Sequence, residues 1–139
     1  MTKSIATGIS ILLFLNLTFA ETPPTEVQKA FEQKFAKATN IKWAKENSKE
    51  WEAEFILNGT NVSANFSNNG TWVETETEIS VSELPSKVYV TIMMQNSNCK
   101  ISSAYKIESA TKPTKYESDI KTGKKKKEVI LYEDGTTAK

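Results

Sequence analysis

The second half of the chain echoes the first. Lys49-Glu50-Trp51-Glu52-Ala53-Glu54-Phe55 reads against Thr114-Lys115-Tyr116-Glu117-Ser118-Asp119-Ile120, and Phe66-Ser67-Asn68-Asn69-Gly70-Thr71 against Leu131-Tyr132-Glu133-Asp134-Gly135-Thr136, both at an offset of 65 residues. Further back, Pro24-Thr25-Glu26-Val27 sets against Pro85-Ser86-Lys87-Val88 at an offset of 61. An internal repeat decides architecture before any single residue does. It predicts a two-module fold and leaves the molecular activity open.

The amino terminus predicts the compartment. Lys3 gives a positive start, Ile5 to Phe19 is apolar, and Thr18-Phe19-Ala20 carries small residues where a signal peptidase cuts, so residues 1–20 read as a cleaved export signal. As a membrane anchor the run is too short and is interrupted by Asn16, since spanning a bilayer takes about 20 apolar residues. No Cys lies near Ala20, which excludes lipidation at a new amino-terminal Cys. Removing 20 of 139 residues leaves 119, enough for one domain with a real core. Without Lys3, 17 lysines balance 17 acidic residues, so the mature chain has no overall attraction to nucleic acid. Cys99 is the only cysteine, which rules out an internal disulfide and leaves stability to packing.

Thr22 and Pro23 read as a helix start, followed by Val27, Ala30, Phe31, Phe35 and Ala38 at steps of three and four, one apolar stripe of an amphipathic helix. From Ile41 the period becomes two. Ile41 and Trp43 predict a first strand, Trp51, Ala53, Phe55 and Leu57 a second, and Val62, Ala64 and Phe66 a third, with Asn58-Gly59 as a hairpin turn between the last two. Asn68-Asn69-Gly70 turns into a fourth strand over residues 71–79. In the second module Val88 to Met94 is rich in β-branched residues, which favours a strand. Leu84, Val88 and Ile92, the Ser80-to-Glu83 capping-box spacing and the match to Val27 and Phe31 instead predict a helix. Ile101, Ser103, Tyr105 and Ile107 alternate as the next strand, residues 116–121 form another, and Thr122-Gly123 is a turn before Val129 and Leu131. Asp134-Gly135 leads to a last, short edge strand over residues 136–139. The expected fold is α+β: two tandem helix-plus-four-strand repeats, residues 21–80 and 81–139, joined in one antiparallel sheet of about eight strands with both helices on one face.

Pro24-x-x-Val27, Phe31, Lys42-Trp43, Trp51-Glu52-Ala53-Glu54-Phe55, Asn58-Gly59, Asn69-Gly70-Thr71-Trp72, Leu84-Pro85-x-x-Val88, Tyr116-Glu117 and Asp134-Gly135 together resemble the PepSY-like family of exported bacterial proteins, commonly from Bacteroidetes. The resemblance covers nearly all of the mature chain. It implies a fold like the beta-lactamase inhibitor protein, a tandem repeat whose open sheet face binds its target. A fold hosts many functions, so protein binding follows by analogy only.

Candidate sites have ordinary alternatives. With no His and no Arg, neither a Ser-His or Cys-His nucleophile nor bidentate phosphate recognition can be built. Glu52 and Glu54, and Glu74, Glu76 and Glu78, alternate on strand faces at a spacing of roughly 7 Å, which inverting glycosidases also use, although the wet side of a sheet carries such charge in any case. The same carboxylates offer oxygen ligands to Ca²⁺, but no compact loop has Asp at alternate positions. Lys124 to Lys127 could meet an anionic surface or simply be solvated. Asn58, Asn61, Asn65 and Asn69 match N-glycosylation sequons that strand composition also explains. Cys99 has no His or Arg to activate it.

By strand parity Trp43, Trp51, Phe55, Phe66, Tyr105 and Tyr116 face the helices. Trp72, in step with Glu74, Glu76 and Glu78, and Ile130 and Tyr132, out of step with Val129 and Leu131, fall on the uncovered face, unless a bulge near Asn69-Gly70 reverses Trp72. The expectation is an exported, non-catalytic module without cofactor or metal. It would bind an envelope or extracellular protein through Trp72, Tyr132 and Ile130 as anchors, with Glu52, Glu54, Glu74 and Glu76 setting specificity, and would neither bind nucleic acid nor insert stably in a membrane. The alternatives are a binder of envelope polysaccharide, anionic surface or cation and, more remotely, a carboxylate-dependent hydrolase.

Overall fold

Val27 and Phe31, four residues apart and sealed from solvent, define the buried stripe of the first helix. The computed structural model describes residues 21–138; the expected export signal, residues 1–20, and Lys139 lie outside them. Helix α1 runs Thr25–Lys34 and begins behind Pro24, not at Thr22-Pro23: the amides of Val27 and Gln28 donate to Pro24 O at 3.0 and 3.1 Å. Strands β1 (Thr39–Lys45), β2 (Glu50–Leu57), β3 (Thr60–Ser67) and β4 (Trp72–Ile79) follow. Asn58 (φ 51°) and Gly59 (φ 80°) make the turn between β2 and β3, both in the left-handed region that this tight hairpin needs.

Val88 to Met94 is helical, within α2 (Ser86–Gln95). Leu84, Val88 and Ile92 are buried together, so tertiary burial overrides the strand preference of the β-branched residues. The Ser80–Glu83 capping box exists, but it closes a separate 3₁₀ turn (Val81–Glu83) ahead of Pro85. Strands β5 (Lys100–Ser109), β6 (Lys115–Thr122) and β7 (Lys125–Tyr132) complete one antiparallel sheet in the order β1-β2-β3-β4-β5-β6-β7. The expected eighth strand is a single bridge among the described residues, Leu131 to Thr137, at the positions 65 residues beyond the Phe66–Trp72 pair.

Continuous cross-strand register puts both helices on the same side. Trp51, Ala53 and Phe55 face Phe66, Ala64 and Val62 beneath α1, and that row continues through Thr75 and Thr77, Lys106 and Ala104, and Tyr116 and Ser118 to Leu131 and Val129 beneath α2. The α1 core is aromatic: the Phe31 ring lies 5.0 Å from Phe55, 5.2 Å from Trp43 and 6.2 Å from Phe66. The α2 core is mainly aliphatic, with Leu84, Val88, Ile92, Ile120 and Leu131. In each half a glycine with φ +85° tucks a turn under its helix. A Cβ on Gly70 would stand 2.6 Å from the Glu26 carbonyl, and one on Gly135 would stand 3.0 Å from the Lys87 carbonyl.

Candidate functional site

The side of the sheet away from the helices carries the carboxylates. Glu54 faces Ser63, which faces Glu76; Glu52 faces Asn65, which faces Glu74; and Glu78 lies across from Tyr105, which faces Glu117. Asp119 pairs with Glu128, Glu117 with Ile130, and Lys115 with Tyr132. Ile130 and Tyr132 therefore lie on the uncovered face, together with Glu52, Glu54, Glu74 and Glu76, as parity predicts.

Trp72 does not. Register slips between Asn65, opposite Glu74, and Phe66, opposite Trp72, leaving Val73 bulged and turning Trp72 to the helix side. There its Nε1–H donates to Thr75 Oγ1 at 2.9 Å, and Lys34 Nζ of α1 sits 3.8 Å from the ring centroid. A second slip, between Ile101 and Ser103, moves Ser103, Tyr105 and Ile107 to the uncovered face. Tyr105, expected under the helices, instead stands among the carboxylates.

This face is not flat and wet. No helix among the described residues covers it, yet Glu76 is 8% exposed and Ile107 and Glu117 are sealed. Its β1-to-β5 side forms a hollow of about 660 Å³, lined by Glu52, Glu54, Glu74, Glu76, Glu78 and Tyr105, with Ile41, Lys42 and Ile56 also on its wall. Withdrawal from water there disfavours charge, and neighbouring carboxylates add to the effect. Burial, then Glu46 and Glu54, raise Glu52 to about 7, with a hydrogen bond from Ser63 opposing. Burial, then Glu74 and Glu52, raise Glu76 to about 8. Glu74 also moves up, chiefly by burial, with Lys115 and Lys112 opposing.

A second group lies toward β7. Carboxylate oxygens of Glu117, Asp119 and Glu128 fall within 4.8 Å of one another, and Ser103 Oγ donates to Asp119 Oδ2 at 2.6 Å. Burial, then Glu76, Glu128 and Asp119, push Glu117 up to about 9. Sequence reasoning passed over these three residues and Tyr105. A usable signal existed, because the offset of 65 carries Glu52 onto Glu117, Glu54 onto Asp119 and Ser63 onto Glu128. Lys124 to Lys127 lie at the exposed start of β7 and its turn, apart from the hollow. Cys99 is buried, its Sγ 3.8 Å from Met93 Sδ.

Chemically, the face gathers carboxylates whose ionisation is disfavoured by burial and by one another. Acid–base hydrolysis by two carboxylates needs one held protonated and its partner ionised. Glu52, Glu74 and Glu76 are all shifted upward, chiefly by burial.

Comparison with known proteins bears on this architecture. A family profile described as "Putative beta-lactamase-inhibitor-like, PepSY-like" matches residues 49–137. Among solved structures, a BLIP-like protein from Bacteroides fragilis is 26% identical with a TM-score of 0.70, over 86% of this chain and 85% of that one. A DUF2874 family protein from Bacteroides ovatus is 22% identical with a TM-score of 0.74, over 86% of each chain. One of the "putative periplasmic proteins" of Bacteroides eggerthii is 17% identical with a TM-score of 0.79, over 86% of this chain and 88% of that one. A search of curated proteins finds no match. No helix among the described residues is long and apolar enough to cross a membrane.

Proposed function

That the chain belongs to the PepSY-like, beta-lactamase-inhibitor-like family is the premise from which we propose that it is an exported, non-catalytic binding module that docks another protein on the open face of its sheet. The observation that carries this reading is the uncovered hollow crowded with Glu52, Glu54, Glu74, Glu76 and Glu78. A folded chain gains nothing from gathering like charges where water is scarce, whereas a partner bearing Lys or Arg would relieve both the repulsion and the desolvation. The partner is therefore an envelope or extracellular protein that presents a basic segment. Glu52, Glu54, Glu74 and Glu76 set specificity, and Tyr105, Ile130 and Tyr132 supply apolar contact on the same face. Trp72, on the other side, belongs to the α1 core.

Residues 21–80 and 81–139 are taken as two copies of one unit, the second ending in an abbreviated strand. Export rests on the signal-like residues 1–20 and on the periplasmic description of the Bacteroides eggerthii relative. The test is affinity capture from envelope extract with the mature chain, beside a Glu54→Lys/Glu74→Lys variant, a Glu32→Lys control on α1 and Trp72→Ala. Partner recovery should collapse for the first variant, persist for the control, and persist for Trp72→Ala at a temperature where it stays folded. Equal recovery by the open-face variant and the control would overturn the reading.

A further inference from the structure

We propose that Glu117, Asp119 and Glu128 form a binding site for a hard divalent cation, best matched to Ca²⁺, at the β6–β7 end of the open face. The geometry suits one ion. Oxygens bound to a single Ca²⁺ at ~2.4 Å are never more than about 5 Å apart, and the carboxylate oxygens of these three residues lie within 4.8 Å of one another. The set is all oxygen, as Ca²⁺ prefers to the softer metals.

Proximity of acidic groups alone would not make a site. The independent observation is that Glu117 is fully sealed and, among the described residues, no N–H or hydroxyl donor reaches either of its carboxylate oxygens, its one polar neighbour being the Glu128 carboxylate. Tyr105 and Ile130 flank it across the neighbouring strands. Buried polar groups are nearly always satisfied, and an orphan of this kind calls for an ion or water. A shared proton with Glu128 would serve one oxygen of Glu117 and leave the other bare, while a cation can engage both.

The matching place in the first half shows what a site without an ion looks like. Glu52 and Glu54 occupy the positions of Glu117 and Asp119, but Ser63 stands where Glu128 does. Ser63, a hydroxyl donor beside Glu52, favours its ionised form, whereas the group in the matching place beside Glu117 is the carboxylate of Glu128. Glu128 has no such donor when ionised, so the exchange of hydroxyl for carboxylate turns a hydrogen-bonded acid into one that needs a cation. The ion would take one oxygen from each carboxylate or two from Glu117, and water would complete its shell. Asp119 is already aimed by Ser103.

The test uses the mature chain after chelator treatment, titrated with Ca²⁺ while the melting temperature is followed, and separately with Tb³⁺ while emission excited through tyrosine is read, Tyr105 being the adjacent donor. The wild type should show a saturable rise in melting temperature and saturable emission. Glu128→Ser, which restores the first-half arrangement, and Asp119→Asn should each weaken the affinity at least tenfold, and Glu32→Gln should leave it unchanged. No saturable response at concentrations well above ~1 mM, the weak end of natural Ca²⁺ modules, would overturn the proposal. So would an equal response from Glu128→Ser, or a wild type whose stability depends on pH but not on Ca²⁺. These readouts involve no protein partner, so they stand or fall separately from the capture experiment.

Discussion

The α1 side and the α2 side of the one sheet carry different chemistry. Under α1 the core is a cluster of rings from Phe31, Phe35, Trp43, Phe55 and Phe66, while under α2 the same row is filled by Ile92, Ala104, Ile120 and Leu131. Helix α1 is amphipathic with charges outward, whereas α2 shows solvent Tyr89, Val90, Met93 and Met94. On the open face the first half softens its acids with Ser63, and the second replaces that hydroxyl with Glu128. Packing needs only matched apolar volume, and it tolerates the swap of rings for aliphatics. Buried carboxylates occur on the open face on both sides of the sheet, where burial disfavours their charge.

The largest expected effect probes the cores. Phe66→Ala should lower unfolding free energy by about 3–5 kcal/mol, and Leu131→Ala, its counterpart, by about 2–5 kcal/mol with the smaller value of the pair, because Phe66 loses ring contacts to Phe31, Phe35 and Trp43 as well as volume. Urea unfolding checks this. An equal or larger loss at Leu131 would break the contrast between an aromatic and an aliphatic half.

A smaller effect probes the first-half acids. Glu52 and Glu76 have folded-state values of about 7 and about 8, against 4.5 for a free side chain. The folded protein therefore binds more protons than the unfolded one between these limits. The stability this gives is fully present below about 4.5 and is lost as pH rises through 7 and 8. In chelator, the melting temperature should fall by roughly 5 °C or more from pH 5 to pH 8, and a Glu52→Gln/Glu76→Gln variant should show a shallower fall. A profile identical to wild type would mean that these groups are not desolvated.

Much of the fold was legible because period and turn chemistry are local. The stripe of Val27 and Phe31, the alternation of Trp51, Ala53 and Phe55, and Asn58-Gly59 each predict their element without knowledge of the rest. The offset of 61 residues also chose a helix over a strand for Val88 to Met94, against local propensity. One bulge was legible only as an alternative, the one near Asn69-Gly70 that turns Trp72 to the helix side, and the other was not. Neither Val73 nor the stretch between Ile101 and Ser103 stands out in composition, so parity alone left Trp72 between two faces and put Tyr105 on the wrong one, each slip reversing the side chains beyond it. Nor was the burial of Glu117 visible. Alternating charge reads as solvated unless the shape of the sheet is known, and that shape is a property of all seven strands. The eighth strand was overcounted for a related reason: Thr137 repeats the Trp72 bridge, but pairing beyond it is absent among the described residues.

The most direct test of the claim that this chain binds protein through its open face is carbodiimide labelling of carboxylates, read residue by residue with the captured partner present and absent. Binding there should protect Glu52, Glu54, Glu74 and Glu78 on the open face and leave the labelling of Glu26, Glu32 and Glu83 on the helix side unchanged. Protection of the helix-side residues with the open-face set still fully reactive would contradict it.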